Sequence, residues 1–398
     1  MLRMSADHLD WVEGGVAAQL GDLDAAGLRR RLRLLQRDSV GLVTLDGGTV
    51  VNFSSNDYLG LAVSDQLKQA MVEAVSRHGV GSGASRLVCG NMECHEALEA
   101  ALAEFKGTEA ALSFSTGHAV AVGVLPALCG AGDTIVLDKL SHASLIDGAR
   151  LSGATLRIFP HNNLEKLERM LVAIRAKNAK GRILVVTESV FSMDGDAAPL
   201  AALVELKDRH GAWLLVDEAH AFGILGPQGR GLVAGLRLEK RVELQMGTLS
   251  KAAGVSGGYV AASREVIDLL INRARSLIYS TAPPPAVAAT AAAAVAMIGG
   301  GEGDRRRERL WANRAHLLSL LPELDADLVM AAIVPVMIGG EREAVAAAEQ
   351  LMEAGFFAPA IRYPTVARSQ ARLRVTLSAL HELVEIEGLV GCLRRHMV

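Results

Sequence analysis

The sequence predicts an α/β fold: a large domain with a mainly parallel open sheet, followed by a smaller α+β domain. Three observations predict it. Short apolar runs of strand length alternate with helix-period segments from about residue 95 onward. The residues that close successive runs are strongly polar, as expected where a parallel sheet meets a ligand. At 398 residues, half of them hydrophobic and 21% charged, the chain can bury a large core, which excludes fibrous and disordered classes. Lys plus Arg at 41 against Asp plus Glu at 44 give a formal net charge of −3, so no basic excess favours nucleic acid or an anionic membrane as a partner.

Residues 1–48 read as an N-terminal helical segment. Positions 8–37 alternate apolar residues with Asp, Glu and Arg and end in Arg29-Arg30-Arg31-Leu32-Arg33, which suggests one or two amphipathic helices with a solvated basic face. Gly47-Gly48 then separates two Val-containing pieces, as in a hairpin. The large domain is expected over 49–285, with buried strands at 134–138, 156–159, 183–188, 213–217, 244–249 and 259–262. The spacers at 164–179 and 200–210 carry the helical period, so right-handed crossovers follow. Thr281-Ala-Pro-Pro-Pro285 interrupts this pattern. The alanine-rich run 286–298 is shorter than the roughly 20 residues of a membrane span and reads as a packed helix. After the Gly-rich, charged stretch 299–307, strand-like 333–338, 360–362 and 373–377 and a final helix from about Glu382 make up the smaller domain, 286–398. Cys89, Cys94, Cys129 and Cys392 include no C-x-x-C pair, and the N-terminus is a poor secretion signal. A reducing, cytoplasmic location is expected.

The chemistry-bearing residues sit where the apolar runs end. Glu188 closes one run, Asp217-Glu-Ala-His220 the next and Thr248-Leu-Ser-Lys251 a third. Lys251 is surrounded by Gly247, Ala252, Ala253 and Gly254, small residues that leave room for a bulky planar group, and a desolvated lysine can form a Schiff base. Asp217, at the end of a buried run, needs a partner: a protonated pyridine nitrogen suits it, as does a salt bridge or a cap on the following helix. His142, just beyond the run that ends at Asp138, fits either a structural imidazole or a face-stacking role on a flat cofactor. Ser115-Thr-Gly-His118 opens an apolar helix, so it is a phosphate site or an ordinary cap. Gly79-Val-Gly-Ser-Gly-Ala-Ser85 contains G-x-G-x-x-A but follows a helix-like segment, so it is not a dinucleotide site. Asp217-Glu-Ala-His220 spells a helicase-type acidic motif, but no phosphate loop accompanies it. A metal site on Asp217 and His220 has no third ligand at compatible spacing.

These pieces together resemble the α-oxoamine synthases, a branch of the fold-type I pyridoxal-phosphate enzymes. The resemblance runs from about residue 28 to the end and rests on several ordered motifs. They are Asn52-Phe-Ser-Ser-Asn-Asp-Tyr-Leu-Gly60, Gly81-Ser-Gly-Ala-Ser-Arg-Leu-Val88, Ser141-His-Ala-Ser-Leu145, Val190-Phe-Ser-Met-Asp-Gly-Asp196, Asp217-Glu-Ala-His220, Ser250-Lys251, Gly254-Val-Ser-Gly257 and Ile278-Tyr-Ser-Thr281. It implies pyridoxal 5′-phosphate as cofactor and a decarboxylative condensation of an amino acid with an acyl thioester. Lys251, Asp217, His220 and His142 would be the catalytic set, with Lys251 the Schiff-base lysine, Asp217 paired with the ring nitrogen and His142 stacked on the ring. Ser192 and His220 would lie near the ring oxygen, and Gly117, His118 and Thr248 around the cofactor and its phosphate. Thr281 would reach the cofactor of the other subunit of a homodimer. Arg362 would anchor the amino-acid carboxylate, Asn56 and Thr365 would touch substrate, and Arg30 would meet the acyl group.

Within that family, Ala360-Ile-Arg-Tyr-Pro-Thr-Val366, Ala371-Arg-Leu-Arg-Val-Thr-Leu377 and His381 are most similar to the biotin-pathway members. Those join L-alanine to a pimeloyl thioester carried on CoA or a carrier protein. Tyr363 and Ala367 stand where these usually have Pro, and His118 where an aromatic other than His is common. The alternatives are glycine or serine with another acyl-CoA, or an aminotransferase.

Overall fold

A computed structural model of the chain describes residues 15–26, 28–30, 32–37, 41–324 and 330–395. The chain forms two compact units, one drawn from Met1–Asn52 and Met337–Leu373, the other from Phe53–Val336 and Arg374–Val398.

In the first unit a helix spans Ala17–Ala25, and strands β1 (Leu35–Arg37), β2 (Leu42–Leu45) and β3 (Gly48–Asn52) form an antiparallel meander. The hairpin foreseen at Gly47-Gly48 turns on Asp46 and Gly47, both at positive φ, with Gly48 already paired to Leu45. An Asp-Gly pair with two left-handed residues matches the twist of the flanking strands. Helix was expected through residue 37, but the helix ends at Ala25 and β1 is a strand. The helix buries no side chain among its described residues, so nothing rewards its extension, whereas β1 gains a ladder against β2. The expectations for residues 8–14 and for Arg31 lie outside the described residues. Val43, Leu45 and Val50 form this unit's small core with Met352 and Phe357.

The second unit is built on a seven-stranded sheet of β4 (Ala110–Phe114), β5 (Thr134–Asp138), β6 (Thr155–Phe159), β7 (Ile183–Glu188), β8 (Trp213–Asp217), β9 (Leu244–Thr248) and β10 (Gly258–Ala262). Their order is β4-β10-β9-β8-β7-β5-β6, with β10 alone antiparallel to its neighbours. The fold is therefore α/β with a mainly parallel sheet. Both faces are covered, which explains the unbroken apolar runs. Ile135, Leu137, Leu184, Val186 and Leu215 enter one core, against the apolar helix Gly117–Leu128. Val136, Ile183, Val185, Leu214 and Val216 enter the other, against Leu164–Lys177 and Leu200–Arg209.

Beyond the helix Pro285–Gly299, the charged Gly-rich stretch forms the first turns of the helix Gly301–Leu320. Its charges pair at helical spacing, Glu302 with Arg305 and Arg306, and Asp304 with Arg307. The last strands are β11 (Ile333–Gly339), β12 (Phe356–Phe357), β13 (Ala360–Ile361) and β14 (Ala371–Thr376), followed by the helix Leu383–Leu393. In the first unit β12 adds in parallel to β3, and β13 pairs antiparallel with β14. No single helix among the described residues is long and apolar enough to cross a membrane.

Candidate active site

A cavity of about 220 Å³ opens at the carboxyl ends of the parallel strands of the second unit. The end residues make it. β7 ends in Glu188, β8 in Asp217 and β9 in Thr248, and all three line the cavity with Gly117, His118, His142, His220 and Lys251. Strands β7 and β8 are in register, with Glu188 opposite Asp217, so two buried carboxyl groups stand side by side. Among the described residues no ion pair to Asp217 is present; its Oδ1 accepts the Ala219 N–H at 2.9 Å.

Burial raises the Asp217 pKa, against the nearby Lys251 charge and the Ala219 N–H. It raises that of Glu188 well above the usual carboxylate range, helped by Asp217. Desolvation lowers Lys251 from 10.5 to about 8; Asp217 and Glu188 oppose the shift and Arg374 adds to it. The amine is thereby brought toward its nucleophilic form at neutral pH.

Lys251 Nζ lies 2.7 Å from His220 Nε2, and His220 Nδ1 lies 2.6 Å from the Tyr58 hydroxyl. Desolvation, with Lys251 and Arg374 nearby, holds His220 well below its ordinary value and so neutral. With Lys251 donating to Nε2, the ring proton sits on Nδ1 and is donated to Tyr58, whose hydroxyl donates on to Asn56 Oδ1 at 3.3 Å. Burial pushes the Tyr58 phenol up to about 12, so it remains a donor.

On the other side, His142 caps the helix Ala143–Leu151, and Ser144 Oγ donates to its Nδ1 at 2.7 Å. Its N–H donates to Glu188 Oε1 at 2.5 Å. At the far end, Thr116, Gly117 and His118 line the cavity where the helix Gly117–Leu128 begins, and the Thr116 hydroxyl accepts the Ala119 N–H at 3.0 Å; the other first-turn N–H groups have no partner within the helix. A side chain on Gly117 would place Cβ 3.2 Å from Thr248 Cβ, and one on Gly258 would come within 2.6 Å of the Gly117 N. The two glycines let that helix end approach the sheet.

These residues fit pyridoxal phosphate. A desolvated amine stands ready for its aldehyde, a buried carboxyl lacking an ion-pair partner for its ring nitrogen, and a helix N-terminus with small residues for its phosphate. Among the described residues no group of three or more His, Cys, Asp or Glu could hold a metal ion.

The structure thus brings together Lys251, Asp217, His220, His142, Gly117, His118 and Thr248. Ser192 is joined to them through Arg374, whose Nε donates to the Ser192 carbonyl at 2.7 Å and whose Nη2 donates to Asn56 Oδ1 at 3.0 Å. Thr281 is exposed and forms a bridge with Ser85; it does not line the cavity. Arg30, Arg362 and Thr365 belong to the first unit, where they line a second cavity of about 670 Å³. Arg29 and Arg33 share its walls with Leu28, Val345, Met352 and Ile361. Sequence reasoning did not single out Tyr58 or Arg374 as site residues, and it named Glu188 as a strand-end acid without giving it a role. Tyr58 lies inside the Asn52–Gly60 motif, and a buried charge at Arg374 was signalled only by an arginine within an apolar strand.

A family model described as aminotransferase class I and II matches residues 48–393. The chain is 48% identical over 382 residues to an 8-amino-7-oxononanoate synthase of Geobacter sulfurreducens, covering 96% of this chain and 97% of that protein. It is 46% identical to the enzyme of that name from Anaeromyxobacter dehalogenans, covering 98% and 96%. Among solved structures, a serine palmitoyltransferase of Sphingomonas wittichii superposes with a TM-score of 0.90 at 32% identity, covering 98% of each chain. The serine palmitoyltransferase of S. paucimobilis with a bound PLP–myriocin aldimine gives 0.89 at 29%, covering 99% and 98%. An 8-amino-7-oxononanoate synthase of Francisella tularensis gives 0.74 at 28%, covering 87% and 97%.

Proposed function

The chain belongs to the aminotransferase class I and II family, in its 8-amino-7-oxononanoate synthase branch, and from that premise we propose the following division of labour among its residues. The reaction is the decarboxylative condensation of L-alanine with a pimeloyl thioester, giving 8-amino-7-oxononanoate, the free thiol and carbon dioxide in biotin biosynthesis. The observation that carries this is near full-length identity of 48% to enzymes of that name. Bound pyridoxal phosphate supplies an electron sink for negative charge developing on the carbon that bears the amine.

Lys251 would hold the cofactor, and its amine would also serve as the base for the α-proton of alanine, since its lowered pKa suits it to act near neutrality. With the cofactor bound, Asp217 would keep the ring nitrogen protonated, His142 would cover one ring face, and His220 and Ser192 would address the ring oxygen. Gly117, His118 and Thr248 would hold the phosphate, with Thr281 offered to a second subunit of a homodimer. Arg374 is proposed as the alanine carboxylate anchor in preference to Arg362, because its buried guanidinium shares Asn56 with the Tyr58–His220–Lys251 chain. Arg30, Arg362 and Thr365 are assigned to the acyl thioester, since the cavity they line joins arginine side chains with apolar walls, as a thioester bearing phosphates or a terminal carboxylate requires. A cytoplasmic location follows from the cysteine usage.

The test is thiol release by cofactor-loaded protein given L-alanine, glycine or L-serine with pimeloyl-, acetyl-, succinyl- or palmitoyl-CoA. Release confined to alanine with pimeloyl-CoA is expected. Preference for serine with palmitoyl-CoA, the reading favoured by the TM-scores of 0.90 to serine palmitoyltransferase, would overturn it.

A further inference from the structure

We propose that His161 is a positioning residue, an imidazolium clamped between Asp138 and Asp196 that fixes the two loops presenting His142 and Ser192. The inference rests on the cofactor site proposed above. Both ring nitrogens face carboxylates: Nδ1 lies 2.9 Å from Asp138 Oδ1 and Nε2 lies 2.7 Å from Asp196 Oδ2. A neutral imidazole has one donor and one acceptor nitrogen, and an ionised carboxylate only accepts. Two such contacts are satisfied together when both nitrogens carry protons.

Asp138 also accepts the N–H groups of Leu140 at 2.8 Å and Asn162 at 2.9 Å, so its carboxylate is already committed as an acceptor on both oxygens. Asp196 Oδ1 is buried with no hydrogen bond among the described residues, and its contacts are made at Oδ2, with His161 at 2.7 Å and Asn162 Nδ2 at 3.1 Å. Against desolvation, the two carboxylates raise the His161 pKa to about 10, which keeps the clamp charged at neutral pH.

The clamp joins segments that carry site residues. Asp138 ends β5 and opens the short turn to His142, whose N–H is fixed on Glu188. Asp196 closes the loop after β7: its carbonyl accepts the Phe191 N–H at 3.0 Å, with Ser192 between them. Phe191 in turn packs on the edge of the His161 ring, 4.4 Å between centroids. One charged ring, set just beyond β6, therefore ties together the loops that face the cofactor from its stacked side and from its oxygen side. The Ser192 carbonyl is also the acceptor for Arg374, so a shift of that loop would be felt at the proposed carboxylate anchor.

The experiment uses holoenzyme of His161→Gln, which lacks the positive charge and the donors on opposite sides of a ring, and of Asp196→Asn, which keeps the ring but removes one of its carboxylates. The readouts are the visible circular dichroism per bound cofactor, kcat, KM for each substrate, and the thermal melt. Both variants should lose at least half of the visible dichroism and kcat on the order of tenfold or more. KM for the acyl thioester should stay within about twofold, the split expected of misplaced reacting groups. Loss of cofactor retention with an unchanged far-UV spectrum supports the proposal equally. Wild-type visible dichroism and kcat, whether or not the melt is lowered, would overturn it, and so would failure of both variants to fold, since the cluster would then be structural only. If wild-type protein condenses none of the substrate pairs, the functional reading fails while the dichroism comparison still decides the clamp.

Discussion

The Lys251 amine should titrate near pH 8 in the cofactor-free protein, and the charges around it set the direction in which each variant moves that midpoint. Desolvation lowers it from 10.5 to about 8, a cost to the ammonium form of about 3 kcal/mol. At pH 7.5 an ordinary lysine is about 0.1% neutral and one at pKa 8 about a quarter neutral, so the reactive form is enriched roughly 200-fold. The assay is the initial rate at which cofactor-stripped protein captures pyridoxal phosphate, followed by visible absorbance from pH 6 to 11. The rate should rise to a plateau with a midpoint close to 8. Arg374→Met removes a cation that lowers the value and should move the midpoint up; Asp217→Asn removes an anion that raises it and should move it down. Because the folded pKa is depressed below the unfolded one, the unfolded chain binds more protons between about 8 and 10.5, and the cofactor-free fold should gain stability as pH rises through that window. A wild-type midpoint at or above pH 10, or opposite shifts in the two variants, would refute the reasoning.

Lys106 and Glu218 form an ion pair with both side chains fully buried, and Glu218 also accepts the Val233 N–H at 3.0 Å. Lys106→Met should cost about 3–5 kcal/mol in chemical denaturation by stranding that carboxylate, and Lys106→Met combined with Glu218→Leu should recover a part. Gly258→Ala places a methyl 2.6 Å from the Gly117 N, so the helix end must retreat. An overpacking cost of about 1–3 kcal/mol should appear as weaker retention of pyridoxal phosphate on equilibrium dialysis, with little change in the far-UV spectrum. His161 has a folded pKa raised to about 10, so its stabilising contribution should be complete below about pH 6.5 and lost as pH rises through 10. Melts of wild type and His161→Gln should accordingly converge above pH 10.

Which parts were legible in the sequence follows from how the sheet is buried. β5, β7 and β8 are covered on both faces, so each is a continuous apolar run, and each ends in an acid, with those of β7 and β8 at the cavity. Their positions and the residues beyond them could be read directly. β4 could not, because Ala-Ala-Leu-Ser-Phe has little intrinsic preference for strand and owes its conformation to pairing with β10. β1 is exposed throughout and offers no period.

The site residues divide along the same physical line. Lys251, Asp217 and His220 sit beside strand ends, and their meaning is local. Arg372-Leu-Arg374-Val opens a strand-like run, and nothing local says what its arginines meet. In the structure both arginines are buried, 5% and 6% exposed. A buried guanidinium must find acceptors, and Arg374 finds Asn56 and Ser192, 318 and 182 residues away. His161 makes the same point in a turn that looks unremarkable in sequence. Its neighbours Asn162 and Asn163 signal only a loop, while the two carboxylates that give it chemistry arrive from the end of β5 and from the loop after β7. Substitution tables built from local motifs will therefore overlook it, and a variant there should perturb the site as much as one in the motifs themselves.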